Sequence, residues 1–154
     1  IRITKPGGTG TYLDFDNVQV ASQLTPYGQW QMLHWGSLTD PASLPEADPD
    51  ADGLPNLIES QLAGMDPLVR NPMPLPVTTQ VSGEDYLQMQ LLKNSAASTS
   101  GAVGLLMSYD LLSWFTPTNT PNGDVIVMNN ASEFTVQLRR SASPTTFFRI
   151  WAQP

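Results

Sequence analysis

Residues 87–91 read Leu-Gln-Met-Gln-Leu, and residues 134–138 read Phe-Thr-Val-Gln-Leu. In both stretches apolar side chains alternate with polar ones, which is the pattern of a β-strand with one face in a core and the other in solvent. Further alternation follows at residues 103–109, 125–127 and 147–152. The 154-residue chain also contains 14 Pro and 11 Gly, which shorten helices and favour turns between strands. These observations predict a mainly β fold.

The strand patterns extend over residues 77–154. If the short predicted strands near Val77 and Trp114 are included, about seven strands occur in roughly 80 residues, which is the spacing of a β-sandwich. Each strand must bury one face in such a fold. The alternation therefore predicts a core that includes Leu87, Met89, Leu105, Met107, Phe134, Val136 and Leu138.

A short helix is predicted upstream, over residues 25–36. Thr25 is a candidate N-cap, Pro26 suits the first helical position, and Gly36 is a stop signal. The residues at helical spacing within it are Trp30, Leu33 and His34.

A second helix is predicted from Pro55 to Ala63, ended by Gly64. Residues 68–76 contain three prolines and are predicted to form a linker, because prolines this dense neither continue a helix nor enter a central strand.

An acidic loop connects the two helices. Residues 48–59 read D-P-D-A-D-G-L-P-N-L-I-E and match the calcium-loop pattern D-x-[DN]-x-[DN]-G-x5-E. Calcium takes six to eight oxygen ligands, and a tight loop supplies them when alternate side chains turn inward and a late carboxylate closes the site. Magnesium fits less well because it demands a tighter octahedron. The predicted metal ligands are Asp48, Asp50, Asp52, the Leu54 carbonyl, Asn56 directly or through water, and Glu59.

The distribution of charge supports a bound cation. Half of the 14 acidic residues lie between Asp40 and Asp66, and no Lys or Arg occurs between Lys5 and Arg70. A segment with so many carboxylates and no counter-charge favours a cation as its partner.

The stretch DPDADGLPNLIESQLAGMDP at residues 48–67 resembles the calcium loops of EF-hand, dockerin and thrombospondin type 3 segments in large exported bacterial proteins. SYDLLSW at 108–114 and TFFRIWAQ at 146–153 resemble parts of the C-terminal β domain that follows such segments. The resemblance implies a fibronectin-III-like β-sandwich and an extracellular or cell-surface location. Ala51 stands where such loops usually have Gly and is expected to be harmless, whereas Pro55 in place of Ser removes a backbone donor at the start of the second helix.

The N-terminal residues 1–20 hold a pair of predicted strands. Their phrase YLDFDNVQV, at residues 12–20, resembles the closing strand of jelly-roll or laminin-G-like sandwiches. Two strands bury no core alone, so we expect residues 1–20 to pair with an upstream domain or a neighbouring subunit. The chain begins at Ile1 without an initiator Met or a signal-like segment, which suggests a piece of a longer protein. The predicted divisions are 1–22 (terminal strands), 23–67 (helix–calcium loop–helix), 68–76 (linker) and 77–154 (β-sandwich).

Several function classes are disfavoured. A single histidine, His34, argues against a Ser-His-Asp triad or a multi-histidine metal site, and it is expected to be a packed helix residue. The net charge of −7 disfavours nucleic acid as a partner. No run of 18 or more apolar residues occurs, so no membrane span is predicted. We therefore expect a protein that is not an enzyme.

The expected function is a calcium-stiffened connector in an exported or cell-surface bacterial protein. Two alternatives stay open. One is a subunit of an extracellular filament, assembled by strand complementation through residues 1–20. The other is a carbohydrate-binding module, in which some of the four tryptophans stack on a glycan.

Overall fold

The computed structural model describes residues 24–94, 102–141 and 145–153. The predicted strands within residues 1–20 lie outside this described part. The described elements, in chain order, are α1 (Pro26–Trp35), a short 3-10 helix (Pro41–Ser43), α2 (Asn56–Gln61), β1 (Val77–Val81), β2 (Glu84–Leu92), β3 (Ala102–Ser108), β4 (Val125–Asn129), β5 (Glu133–Arg139) and β6 (Phe147–Gln153). The predicted mainly β fold is confirmed.

The strands form two antiparallel sheets. One has the order β1-β2-β5-β4, and the other pairs β3 with β6. Buried side chains from both sheets belong to a single hydrophobic cluster, so the two sheets share one core. The finer assignment to a fibronectin-III-like sandwich stays a prediction.

The core contains six of the seven residues that the alternation predicted. Leu105, Met107 and Val136 are fully buried, and Met89, Phe134 and Leu138 are at most 6% exposed. Leu87 is only partly buried and lies outside the cluster, so its assignment to the core was wrong.

The predicted first helix is confirmed as α1. The Thr25 hydroxyl accepts a hydrogen bond from Gly28 N at 3.1 Å, and Gly36 ends the helix at φ 63°. The packed face differs from the expected one, because Leu33 is 77% exposed while Gln31 is buried. The Gln31 amide donates to the Ser43 backbone oxygen at 2.9 Å, so a polar contact holds α1 to the segment before the acidic loop.

Helix α2 is shorter than predicted and ends at Gln61 rather than Ala63. Leu62 adopts an extended conformation and forms an antiparallel bridge with Lys93 at the end of β2. The Ala63 amide donates to Leu92 O at 2.9 Å, so sheet hydrogen bonds replace the last helical turn. Leu62 also joins the hydrophobic cluster, which ties α2 to the core of the β-sheets.

The strand count differs from the expected number at one place. The segment near Trp114 is not a strand, and its neighbour Phe115 makes only an isolated bridge with Met107. The preceding residues form a turn in which Asp110 Oδ1 accepts from the amides of Leu112 and Ser113, each at 2.8 Å. The described residues therefore contain six strands rather than about seven.

Candidate metal-binding loop

Three carboxylates meet in the loop before α2. Oxygen atoms of Asp48, Asp50 and Asp52 all lie within 4.8 Å of one another, and each residue is partly buried. The backbone curls around them: the Asp52 amide donates to Asp48 Oδ1 at 3.2 Å and to Asp50 Oδ1 at 3.1 Å, and the Gly53 amide donates to Asp48 Oδ2 at 3.0 Å. The structure therefore brings together the three aspartates that the sequence pattern predicted as metal ligands.

Two residues of the loop have left-handed backbone conformations. Gly53 has φ 95°, which agrees with the sharp bend expected at the sixth position. Ala51 has φ 58°. An alanine in this conformation is expected to be strained by about 1 kcal/mol relative to glycine, so Ala51 is now predicted to carry a small cost rather than to be a harmless replacement.

The seventh and ninth positions of the loop are both buried. Leu54 is 2% exposed, and its amide donates to Asp52 Oδ1 at 2.8 Å. Its carbonyl stays a predicted ligand. The Asn56 amide group donates to the backbone oxygens of Ala42 and Leu44, at 2.7 and 2.9 Å, while its Oδ1 is buried without a partner in the described residues. Asn56 therefore anchors the loop and leaves one oxygen available.

Glu59 is the most unusual group in the loop. Its side chain is fully buried, and neither carboxylate oxygen has a hydrogen-bond partner in the described residues. Burial is the main cause that raises the pKa of Glu59 to about 8, with further contributions from the charges of Asp50, Asp52, Asp48 and Asp66. Its oxygens are not part of the group that meets within 4.8 Å. An unpaired buried carboxylate is costly unless a proton or a cation compensates it.

The fold places Glu59 by fixing the start of α2. The first two helical amides have partners outside the helix, since Asn56 N donates to Ala47 O at 2.8 Å and Leu57 N donates to Pro45 O at 3.0 Å. Pro55, at the N-cap position, provides no side-chain cap. These contacts hold the first turn of α2 against the chain that enters the loop, and they fix Glu59 where the charges of the three aspartates act on its carboxylate.

The predicted linker contacts the loop, which the sequence pattern did not indicate. The Arg70 side chain donates to Asp50 O at 2.8 Å, and the Asn71 amide donates to Asp52 Oδ2 at 2.9 Å. The Asn71 side chain in turn accepts from the Asp66 amide at 2.7 Å. These contacts span 19 and 20 residues, so a local pattern could not reveal them.

The other candidate residues lie on α1. His34 packs against the rings of Trp30 and Trp35, at centroid distances of 4.9 and 5.8 Å, and its Nδ1 lies 3.9 Å from Asp66 Oδ1. It is half-buried, as expected of a packed helix residue. Tyr27 stacks on Trp30 at 5.5 Å and donates to the Ser43 backbone oxygen at 2.9 Å. The hydrogen bond of Tyr27 and the approach of His34 to Asp66 connect α1 to the segments on either side of the loop.

Comparisons of the chain with protein-family models, curated proteins and solved structures find no match. The resemblance of residues 48–67 to EF-hand, dockerin and thrombospondin type 3 loops therefore stays a prediction. In the described residues, neither helix has the length and apolarity needed to cross a membrane.

Proposed function

We propose that residues 48–59 bind one calcium ion and that the ion stiffens a non-catalytic, structural module of an exported or cell-surface bacterial protein. The observation that carries this proposal is Glu59, a fully buried carboxylate with two unpartnered oxygens beside three converging aspartates. A divalent cation would compensate this arrangement of negative charge.

The available ligand atoms favour calcium over other metals. Every candidate ligand is an oxygen, the chain has no cysteine, and its single histidine lies on α1 rather than in the loop. Hard oxygen ligands suit calcium and magnesium, and a loop that supplies six or more of them suits the larger ion. Besides Glu59, the buried oxygens Asp50 Oδ2 and Asn56 Oδ1 are without partners in the described part of the chain.

The position of the loop supports a stiffening role. Helix α2 follows the loop, and Leu62 at its end belongs to the core that both sheets share. The segment that enters β1 is bound to the loop, because the Asn71 backbone amide donates to Asp52. On the other side, Asn56 ties the loop to the 3-10 helix segment. A cation at this junction would hold the two helices and the start of the sheet in one arrangement, because releasing it leaves four acidic side chains in mutual repulsion.

The proposal is tested by unfolding the full chain in guanidinium chloride with calcium or with a chelator. Calcium at about 100 times its Kd should add roughly 2.7 kcal/mol to the free energy of unfolding, because only the folded loop presents the ligands together. Asp48→Ala should abolish this gain. Asp85→Ala is the matched control, since Asp85 is an exposed residue of β2 whose side chain accepts a hydrogen bond from Gln80 at 3.2 Å and lies outside the loop. Equal stability with and without calcium would refute the proposal.

A further inference from the structure

The sheet formed by β3 and β6 has an open edge along β6. Met107 in β3 exchanges both backbone hydrogen bonds with Phe115, at 2.9 and 3.0 Å, so its N–H and C=O point away from β6. Met107 stands opposite Phe148, which makes Met107 and Phe148 a non-hydrogen-bonded pair. Because the pattern alternates along an antiparallel pair, the backbone groups of Phe148 and Ile150 also point away from β3. Within residues 24–94, 102–141 and 145–153 they have no backbone partner.

This open edge borders an apolar groove of about 590 Å³. Its apolar lining includes Leu54, Ile58, Leu75, Met89, Phe148 and Ile150. Leu75 is 73% exposed, so the groove leaves apolar surface uncovered. An open strand edge beside uncovered apolar side chains is the arrangement to which an extended segment adds as a further strand.

We propose that residues 12–16 of the same chain dock on this edge as an additional strand. The sequence of this segment is Tyr-Leu-Asp-Phe-Asp, and it lies outside the described residues. In an extended strand Leu13 and Phe15 share one face, and Asp14 lies on the other. The apolar face matches the groove.

The charge of the segment matches the outer face of β6. Arg149 is exposed, and its side chain lies over the Trp114 ring at 6.0 Å. Its position between Phe148 and Ile150 puts it on the face of β6 opposite the core. A strand that inserts Leu13 and Phe15 into the groove presents Asp14 on the same face as Arg149, where opposite charges on neighbouring strands stabilise the pairing.

The connection to α1 is long enough for docking within one molecule. Residues 16 and 24 are eight residues apart, which spans up to roughly 26 Å when extended. The start of α1 lies near the end of α2, because one cavity is lined by Pro26, Tyr27, Ser60 and Gln61. The groove lies near the beginning of α2, because its lining includes Leu54 and Ile58. A helix of this size is roughly 9 Å long, so the connection has reach to spare. Tethering also gives the segment a high effective concentration at the groove.

Hydrogen exchange of the backbone amides, measured residue by residue by NMR in the full chain, tests the docking. The amides of Phe148 and Ile150 should exchange as slowly as that of Arg149. Phe15→Asp should accelerate their exchange at least 10-fold and leave Arg149 protected, because the bonds of Arg149 go to β3. Gln19→Asp, outside the docking segment, is the matched control. Fast exchange at Phe148 and Ile150 in the unaltered chain, or no acceleration in Phe15→Asp, would overturn the proposal.

Disulfide trapping tests whether the segment belongs to the same molecule. The chain has no cysteine, so pairs of introduced cysteines report a single contact. Asp14→Cys combined with Arg149→Cys should form an intrachain disulfide under mild oxidation. The control pair, Asp14→Cys with Arg140→Cys, should not, because Arg140 lies beyond the end of β5 in the other sheet. A ladder of covalent oligomers, or no disulfide, would overturn docking within one chain.

Discussion

Glu59→Gln should have opposite effects on stability in the absence and presence of calcium. Without the ion, the pKa of Glu59 in the folded protein is raised from 4.5 to about 8 by burial and by the neighbouring aspartates. Between these values the folded state keeps a proton that the unfolded state has lost, so the free energy of unfolding falls as pH rises. Glutamine has the same shape and no proton to lose, which removes this pH dependence.

The size of the effect follows from the gap in pKa. At pH 7 the unfolded state has lost the proton over roughly 2.5 pH units in which the folded state keeps it, and at about 1.4 kcal/mol per unit this corresponds to about 3.5 kcal/mol. The neighbouring aspartates are only partly buried, and solvent screening there reduces the figure to on the order of 1–2 kcal/mol. Calcium-free Glu59→Gln should therefore match the unaltered chain at pH 4 and exceed its stability at pH 7 and 8.

The assay is guanidinium unfolding of both chains from pH 4 to pH 8, first free of calcium and then at saturating calcium. Calcium should stabilise the unaltered chain and leave Glu59→Gln nearly unchanged, because the closing carboxylate is gone. Asp66→Asn is a useful control: Asp66 contributes least to the raised pKa of Glu59 and lies outside the loop pattern. A calcium-free Glu59→Gln chain that is less stable than the unaltered one at pH 8 would refute this reasoning.

Three further predictions use the same unfolding measurement. Ala51→Gly should stabilise the protein by about 1 kcal/mol, since glycine relieves the left-handed strain at φ 58°; a loss would mean that the strain is absent. Leu105→Ala should cost roughly 2–5 kcal/mol because Leu105 is fully buried between the sheets, and a cost near zero would contradict that burial. Tyr27→Phe should cost about 1 kcal/mol by removing the hydrogen bond to Ser43 O, whereas the same change at the exposed Tyr109 should cost nothing measurable.

Local patterns in the sequence predicted much of the structure. The alternation around Met89, Leu105 and Val136 identified strands and core residues, because a strand with one buried face needs that spacing. The caps at Thr25 and Gly36 identified α1 for a similarly local reason. The three aspartates converge as the loop pattern predicted.

Features that depend on distant contacts were missed. Helix α2 stops early because Leu62 bridges Lys93, which is 31 residues later in the chain (93 minus 62). Thr135 and Gln137 occupy the polar positions of β5, yet they are 1% and 8% exposed, because this central strand is covered on both faces. The hydrogen bond from the Asn71 amide to Asp52 likewise joins segments that no short pattern connects.

Calorimetric titration of the full chain with calcium tests the central claim most directly. We predict one site per chain, a Kd at or below the millimolar range typical of extracellular calcium modules, and much weaker binding of magnesium. Asp48→Ala and Glu59→Gln should each abolish the calcium signal, while Asp85→Ala should retain it. The absence of calcium-dependent heat in the unaltered chain, or unchanged binding in the two loop variants, would contradict the assignment of residues 48–59 as a calcium site.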